Sequence, residues 1–273
     1  MIEAVLAGLF GLLIGSFLNV CIYRLPRDLS VVRPRSFCPS CEKQIAWFDN
    51  VPVLSYAVLG GSCRHCHARI GWRYPVVELL TSAFFFTITL TFGPTLDALK
   101  LCVFSALIIG LIFADLEERI LPDEFTLGGT LVGFVFAYLV PFGGGLAYLL
   151  FPVEWGSRWL SVAESVLGAG FSSLAIWGVG ALYEKVRHRE GLGFGDVKMV
   201  ALIGSFLGMH PALMTLIVGS LLGSLIGLAF ILISRKDAST YELPFGSFLG
   251  AAALLVAVFG EQIGRWYMRL MSS

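Results

Sequence analysis

Apolar runs long enough to cross a bilayer recur along almost the whole 273-residue chain, and they restrict its fold more than any other feature. A helix of about 20 apolar residues spans a hydrocarbon core of about 30 Å and satisfies its own backbone hydrogen bonds there. With 57% hydrophobic and 14% charged residues, most of the chain cannot be a soluble domain. We therefore predict an all-α polytopic membrane protein with about eight transmembrane helices. The runs lie at roughly 2–23, 76–92, 99–114, 125–140, 161–183, 197–209, 212–234 and 245–263.

The first run is predicted to be a retained transmembrane helix rather than a signal peptide. It carries Glu3 where a signal peptide has basic residues, and it ends in Tyr23-Arg24-Leu-Pro-Arg27 rather than in small residues. Residues 24–74 hold eight basic and three acidic side chains. By the positive-inside rule this loop is cytoplasmic, which places the N-terminus outside. Its basic residues suit anionic lipid headgroups, and the zero net charge of the chain implies no nucleic-acid partner.

Two CxxC pairs lie in this loop, Cys38-Pro-Ser-Cys41 and Cys63-Arg-His-Cys66, with 21 residues between them. In a reducing compartment such pairs favour a tetrahedral zinc site over disulfides. Four unrelated thiols, two disulfides, or a histidine replacing one cysteine remain alternatives. A site of four thiolates is closed, so the metal would organise a small zinc-binding loop domain rather than perform chemistry.

The run at 197–209 is too short to cross a bilayer, and a glycine-rich segment ending in an acid precedes it. About 13 residues at roughly 1.5 Å each give near 20 Å of helix, so the helix is expected to begin below the membrane surface. In Gly191-Leu-Gly193-Phe-Gly195-Asp196 the glycines can take backbone conformations closed to other residues and allow close approach of another segment. Because a helix N-terminus stabilises an anion, we predict that Asp196 lies in a wet notch.

A second acid, Asp115, ends the third apolar run on the same predicted side as Asp196. Alternation from an outside N-terminus places residues 115–124 and 184–196 in the cytoplasm. Alone, Asp115 could be an ordinary interfacial acid. Two carboxyl groups a few ångströms apart share one proton, and such a dyad can hydrolyse a peptide without a covalent intermediate. The sequence contains no HExxH zinc motif and no GxSxG nucleophile motif, in agreement with a predicted aspartate dyad.

Several motifs occur in order over nearly the whole chain, and together they give it a resemblance to one family. The chain resembles type IV prepilin peptidases, which belong to the wider group of GxGD intramembrane aspartyl proteases. The motifs are Gly15-Ser-Phe-Leu-Asn-Val-Cys-Ile-Tyr-Arg-Leu-Pro26, the two cysteine pairs, Arg73-Tyr-Pro-Val-Val-Glu-Leu-Leu80, Asp115 with Leu121-Pro-Asp123, Gly193-Phe-Gly-Asp196 and Pro244-Phe-Gly246.

The resemblance implies two activities at the cytoplasmic face of a bacterial inner membrane. It implies that Asp115 and Asp196 are catalytic and cut a short basic leader, typically after a glycine, from prepilins or type II secretion pseudopilins. The new N-terminal residue, usually phenylalanine, is then methylated with S-adenosylmethionine. The resemblance also assigns the family's cysteine tetrad to Cys38, Cys41, Cys63 and Cys66.

A division of the chain follows from the motifs and the resemblance. Residues 1–23 are expected to form the first transmembrane helix, 24–74 the methyltransferase-associated loop, and 75–273 the transmembrane peptidase core. Ser247 stands where the family commonly has proline, a difference expected to affect a turn.

The methyl-donor site has no glycine-rich dinucleotide fingerprint to mark it. Asn19 and Glu78 are polar residues within or bordering apolar runs next to the cysteine loop, and such residues are functional candidates by default. Hydrogen bonding between helices is an equal alternative for both. We predict them as donor-site residues.

Two other functions fit part of the pattern. Asp115 and Asp196 could relay protons in a transporter, although transporters tend to place their sites near the midplane within repeated halves. A non-catalytic assembly scaffold with a zinc-knuckle binding loop is the second alternative. The residues leave open which aspartate acts as the base, which pilin is cut, and whether the chain dimerises.

Overall fold

The computed structural model describes residues 1–188, 191–234 and 244–271, and every regular element in these ranges is a helix. Two isolated antiparallel bridges, Phe37 with Gln44 and Ser62 with Arg69, are the extended pairings recorded for these residues. The α-helices are α1 Ile2–Arg24, α2 Leu54–Val58, α3 Arg73–Phe92, α4 Leu96–Glu118, α5 Asp123–Leu139, α6 Ala147–Leu150, α7 Gly156–Arg187, α8 Phe194–Leu207, α9 Met209–Ser234 and α10 Phe245–Met271.

Each of the eight predicted apolar runs lies largely within one long helix, and the all-α multi-pass membrane fold is confirmed. With 17 and 14 residues, α5 and α8 are shorter than the roughly 20 residues that a perpendicular crossing needs. The predicted count of eight crossings therefore stays a prediction. Within the described residues, the segments long and apolar enough to span are Ile2–Arg27, Arg73–Phe92, Leu96–Glu118, Val153–Arg187 and Met209–Ala229.

The chain divides into two compact units, Met1–Ala114 and Asp115–Ser273. In the first unit, α1 packs closely against α3 through a row of glycines. A methyl group on Gly15 would lie 2.6 Å from the Glu78 Cα, so only a glycine allows the two backbones to approach this closely. Ser82 Oγ also donates to Gly8 O at 2.8 Å. This packing brings Glu78 against α1, one turn from Asn19.

The loop between α1 and α3 is folded around a buried arginine. The Arg24 guanidinium donates to Ser30 O at 2.8 Å and lies 5.7 Å from the centroid of the Phe37 ring. Arg24 is 4% exposed, so its charge is satisfied by backbone carbonyls instead of water. The first CxxC pair follows directly and is thereby held close to the end of α1.

In the second unit, α7 and α8 cross with backbone touching backbone. A methyl group on Gly168 would lie 2.7 Å from Gly204 O, and one on Gly204 would lie 2.3 Å from Gly168 O. Ser165 Oγ donates to Ser205 O at 2.5 Å beside this crossing. Glycine is therefore required on both helices at this contact. The contact fixes the point along α7 at which α8 crosses it.

Glu164 on α7 is 3% exposed and accepts two backbone hydrogen bonds. Its carboxylate accepts the Ala147 N–H at 2.9 Å and the Met209 N–H at 3.1 Å, at the starts of α6 and α9. The first N–H groups of a helix have no partner inside it, and they favour a negative charge. Glu164 thus fixes both helix starts, while Gly208 at φ 81° makes the break between α8 and α9.

We expect Gly168→Ala to destabilise the protein by about 1–3 kcal/mol, because the methyl group meets backbone that cannot move aside cheaply. Gly170→Ala is the matched control on the same helix, since a methyl group there has nothing within 4 Å. The control should match or slightly exceed the wild type, because alanine favours a helix by up to about 1 kcal/mol over glycine. Thermal unfolding of the purified variants in detergent measures both. Equal melting temperatures would contradict the described crossing.

Candidate active site

Asp115 lies in the last turn of α4 and is 6% exposed. Its Oδ2 accepts two hydrogen bonds from Ser247, one from the backbone N–H and one from Oγ, both at 2.7 Å. Ser247 is the third residue of α10, and its first-turn N–H also approaches Pro244 O at 3.2 Å, so the shorter bond is the one to Asp115. The sequence places Asp115 at a span end, and α10 supplies its donors from 132 residues away.

Asp196 is the third residue of α8 and is half-buried. The helix begins at Phe194 with Gly193 as the preceding residue, and the Asp196 N–H donates to Gly193 O at 3.1 Å. An acid in the first turn is stabilised by the positive end of the helix dipole. The sequence predicted that Asp196 lies just before the helix. It lies instead in the first turn of α8, because α8 begins at Phe194, three residues before the predicted apolar run.

The two aspartates meet at Gly246. A methyl group on this glycine would lie 3.2 Å from Asp115 Oδ2 and 3.2 Å from Asp196 Oδ1, so these oxygens are no farther apart than twice that distance. One water or one reacting carbonyl can reach both carboxyl groups across such a gap. Because Gly246 has no side chain, this space is open. Two carboxyl groups so close can share one proton and act as base and acid.

The glycine-rich segment before Asp196 does only part of what the sequence predicts. None of Gly191, Gly193 and Gly195 takes a positive φ, so the expectation of backbone conformations closed to other residues was wrong. The expected close approach is present, since a methyl group on Gly191 would meet the Tyr183 ring at 2.3 Å. A methyl group on Gly195 would lie 3.2 Å from Leu121 Cβ. The glycines make room for neighbours rather than for unusual backbone angles.

Asp123 and Lys198 join the first turns of α5 and α8 next to the dyad. Lys198 Nζ donates to Asp123 Oδ1 at 2.6 Å, and Nζ also lies 5.3 Å from the centroid of the Phe194 ring. The Asp123 side chain is 57% exposed, so the pair adds little stability in water. The pair balances the charge of Lys198 with that of Asp123.

The four predicted metal ligands converge within the first unit. The sulfur atoms of Cys38, Cys41, Cys63 and Cys66 all lie within 4.8 Å of one another. Cys38 Sγ and Cys66 Sγ are 3.8 Å apart, the separation that a tetrahedron with metal–sulfur bonds of about 2.3 Å requires. The donor set and its geometry therefore fit zinc, and no histidine nitrogen belongs to this set.

Both CxxC turns have the same backbone form. Cys38 N–H donates to Lys43 O at 3.0 Å, and Cys63 N–H donates to Ala68 O at 2.9 Å. The N–H groups of Cys66 and His65 lower the pKa of the Cys63 thiol to about 6, which favours the thiolate that a metal needs. The Ala68 N–H lowers the pKa of Cys66, but burial and the neighbouring thiols outweigh it and raise that pKa to about 11.

A cavity of about 260 Å³ lies beside the cysteine turns in the first unit, and both predicted donor-site residues line it. Asn19 is 3% exposed, and its Nδ2 donates to Tyr74 O at 3.0 Å. Asn19 Oδ1 is buried without a hydrogen-bond partner. Glu78 Oε2 accepts the Val53 N–H at 2.7 Å. The alternative of hydrogen bonding between helices is present for Asn19, which joins α1 to Tyr74 of α3 in this way, whereas Glu78 bonds to the loop residue Val53.

Val53 is strained where it meets Glu78. Its φ of 59° is unusual for a residue branched at Cβ, and such strain persists only where neighbouring contacts impose it. The hydrogen bond to Glu78 is one such contact, at the residue that precedes α2. Strained residues cluster at ligand sites, and Val53 lines the cavity.

Arg64 connects the second CxxC turn to the cavity wall. Its guanidinium donates to both oxygens of Asp49, at 2.7 and 2.6 Å, and Asp49 lines the cavity. The Arg64 guanidinium holds the pKa of Asp49 below its usual range. The second CxxC turn is therefore joined to the cavity wall by this ion pair, a contact that the sequence did not reveal.

Comparisons with known proteins agree over nearly the whole chain. Residues 9–92 match the bacterial peptidase A24 N-terminal domain, and residues 102–228 match the type IV leader peptidase family. No solved structure matches the chain significantly.

Several curated proteins with the name prepilin leader peptidase/N-methyltransferase are similar to this chain. The Aeromonas hydrophila protein is 32% identical over 284 residues, which cover 95% of this chain and 92% of that protein. The Pseudomonas putida protein is 32% identical, with 97% and 94% covered. The Myxococcus xanthus protein is 37% identical, with 88% of this chain and 66% of that protein covered.

Proposed function

Because the chain belongs to the type IV leader peptidase family, we propose that Asp115 and Asp196 are the carboxyl pair with which it cleaves prepilin leaders. The protein is a prepilin leader peptidase and N-methyltransferase of the membrane. The observation that supports the dyad is the 3.2 Å approach of both carboxyl groups to the Gly246 methyl position. Proton transport and a silent scaffold role, open on sequence grounds, are not favoured by the relatives' names.

The two carboxyl groups of the dyad divide between them the proton transfers that hydrolysis of the peptide bond requires. One carboxylate takes a proton from a water molecule as the water oxygen attacks the scissile carbonyl carbon, and the protonated partner gives its proton to the carbonyl oxygen. When the C–N bond breaks, the first carboxyl returns its proton to the leaving amine. A reactant in the space at Gly246 can reach the carboxyl groups of Asp115 and Asp196 without movement of a helix.

The proposed setting is a bacterial inner membrane with the N-terminus outside and the dyad facing the cytoplasm. It is supported by the basic excess of residues 24–74 and by the spanning helices. A prepilin or type II secretion pseudopilin keeps its apolar helix in the bilayer and presents its leader at the boundary. In this proposal α5 and α8 complete eight crossings, lipids surround the helices, and no nucleic acid takes part.

A zinc ion bound by Cys38, Cys41, Cys63 and Cys66 is the metal that we propose. It is supported by the sulfur geometry and by the lowered pKa of Cys63. A closed set of four thiolates gives the ion a structural role, holding the two turns together in a loop with little apolar sequence. Through Arg64 the second turn keeps Asp49 in place at the cavity wall.

The cavity of the first unit is the proposed site for S-adenosylmethionine. The donor carries a sulfonium cation and a carboxylate. The cavity is lined by the Glu78 carboxylate, by Asp49 paired with Arg64, by the tyrosines Tyr23, Tyr56 and Tyr74, and by the basic residues Arg24, Lys43 and Arg69. Glu78 attracts the cation, the basic residues attract the donor's carboxylate, and aromatic faces bind methylated cations through their quadrupoles. The buried, unpartnered Asn19 Oδ1 gains a hydrogen bond from a polar group of the ligand.

We expect Asp115→Asn and Asp196→Asn each to lower the cleavage rate by at least about 10²- to 10⁴-fold, since each removes one proton-transfer group. Asp97→Asn, at the exposed start of α4, is the matched control and should cleave normally. Mass spectrometry of a purified prepilin reports the loss of the leader. Both dyad variants should still methylate a pilin supplied already cut, which shows that they are folded. Normal cleavage by either variant would disprove the dyad.

We expect the purified protein to contain about one zinc per chain, and the double variant Cys38→Ser/Cys66→Ser to contain almost none, because two of four ligands are removed. Cys102→Ala, a cysteine outside the cluster, should retain the metal. Elemental analysis measures both. Methylation of a pre-cut pilin should fall with the metal content, and an unchanged zinc content in the double variant would rule out the site.

We expect Glu78→Gln to reduce methylation at least about tenfold while leader cleavage stays near the wild-type rate, because the amide keeps an acceptor for Val53 but loses the charge facing the cation. Glu3→Gln on α1 of the same unit is exposed and serves as the control. Binding of S-adenosylmethionine, followed calorimetrically, should weaken only in the first variant. Unchanged binding and methylation would place the donor elsewhere.

A further inference from the structure

Resting on the proposed dyad, we propose that Ser247 is a positioning residue that keeps Asp115 as the charged member of the pair. In that state Asp115 is the general base, and Asp196 carries the proton and is the general acid. The inference answers which aspartate does which task, a question that the sequence leaves open. It rests on the unequal hydrogen bonding of the two carboxyl groups.

Asp115 Oδ2 receives two donors from one residue. The Ser247 N–H and the Ser247 Oγ both lie 2.7 Å from this oxygen. The N–H also approaches Pro244 O at 3.2 Å, so its shorter bond is the one to the carboxylate. Two donors on one carboxylate stabilise its charged form relative to its protonated form. Both atoms belong to the rigid first turn of α10.

The charges around Asp115 act in the same direction. Arg119, the residue that follows α4, attracts the anion electrostatically. Asp196, from α8, repels a second negative charge, and among the described residues the hydrogen bond to its own carboxyl group comes from the backbone of Gly193. In the first turn of α5, Asp123 is paired with Lys198 of α8, and Glu124 is exposed to water. The shared proton therefore resides on Asp196.

This arrangement assigns every proton in the reaction. Water loses a proton to the Asp115 carboxylate as its oxygen bonds to the carbonyl carbon, and Asp196 gives its proton to the carbonyl oxygen. In the second step the C–N bond breaks, Asp115 protonates the leaving amine, and one hydroxyl of the intermediate returns a proton to Asp196. The dyad ends with the protons where they began.

A proline at position 247 would have neither an N–H nor a hydroxyl, so it would supply neither of the donors that Asp115 Oδ2 accepts here. Any other residue keeps the backbone N–H, while the hydroxyl requires serine or threonine. The catalytic base of this protein is therefore expected to stay charged to lower pH than it would with proline.

The test is the pH profile of kcat/KM for Ser247 variants of the full-length purified protein. The substrate is a synthetic peptide with a basic leader, a glycine at the cleavage position and a following phenylalanine and apolar helix. Ser247→Ala loses one donor, so the midpoint of the acidic limb should move to higher pH by about 1 unit. Ser247→Pro loses both donors and should move it farther, while Ser247→Thr keeps both and should restore the wild-type profile.

The rates of the four proteins should differ most on the acidic limb and converge as the pH rises above it, because Asp115 is then charged in each. Ser173→Ala, which removes a hydroxyl donating to Val197 O on α8, is the control and should leave the midpoint unchanged. An equal loss of rate at every pH in Ser247→Ala, or an unshifted midpoint in both Ser247→Ala and Ser247→Pro, overturns the inference. In either case inactive Asp115→Asn and Asp196→Asn variants leave the proposed dyad standing, whereas active ones remove it.

Discussion

The cost of burying a carboxylate away from water governs much of this structure. Three buried acids meet that cost in the same way, by accepting the backbone N–H at the start of a different helix. Glu78 accepts from Val53 before α2, Glu164 accepts from Ala147 and Met209, and Asp115 accepts from Ser247 in α10. The unpaired first-turn N–H groups and the helix dipole both favour an anion, so each acid fixes where a helix begins.

The same kind of hydrogen bonding has different consequences at Glu164 and at Asp115. Glu164 has two backbone partners and ties the chain breaks around α6 and α9 to α7, so its function is structural. Asp115 differs because a second carboxyl group, that of Asp196, approaches the same glycine, Gly246. The N–H and hydroxyl of Ser247 bond to one oxygen of Asp115, and the space at Gly246 leaves the dyad open to a reactant. A buried acid becomes chemically useful where a second acid and room for a reactant lie beside it.

The sequence predicted the helices, the cysteine cluster and the two aspartates better than it predicted the hydrogen bonds and packing contacts that position them. Apolar length identified the helices, and motif spacing identified the cysteines and both aspartates, because these signals are local. Ser247 is 132 residues from Asp115, and Glu164 is 45 from Met209, so no local pattern marks either contact. For the glycines before Asp196 the sequence predicts backbone conformations closed to other residues together with close approach of another segment, and the structure shows only the close approach. Packing against Tyr183 and Leu121 is what excludes a side chain there.

Cleavage must precede methylation, and the chemistry of the two reactions alone sets this order. An amide nitrogen shares its lone pair with the carbonyl and is a poor nucleophile, so no methyl group is transferred to it before the bond is cut. Cleavage liberates an amine, and only this product can attack the methyl of a sulfonium donor. The residues proposed for the two steps lie in different units, the dyad in 115–273 and the cysteines and cavity in 1–114. Each step can therefore be abolished by substitution without loss of the residues proposed for the other, although methylation always requires a cut substrate.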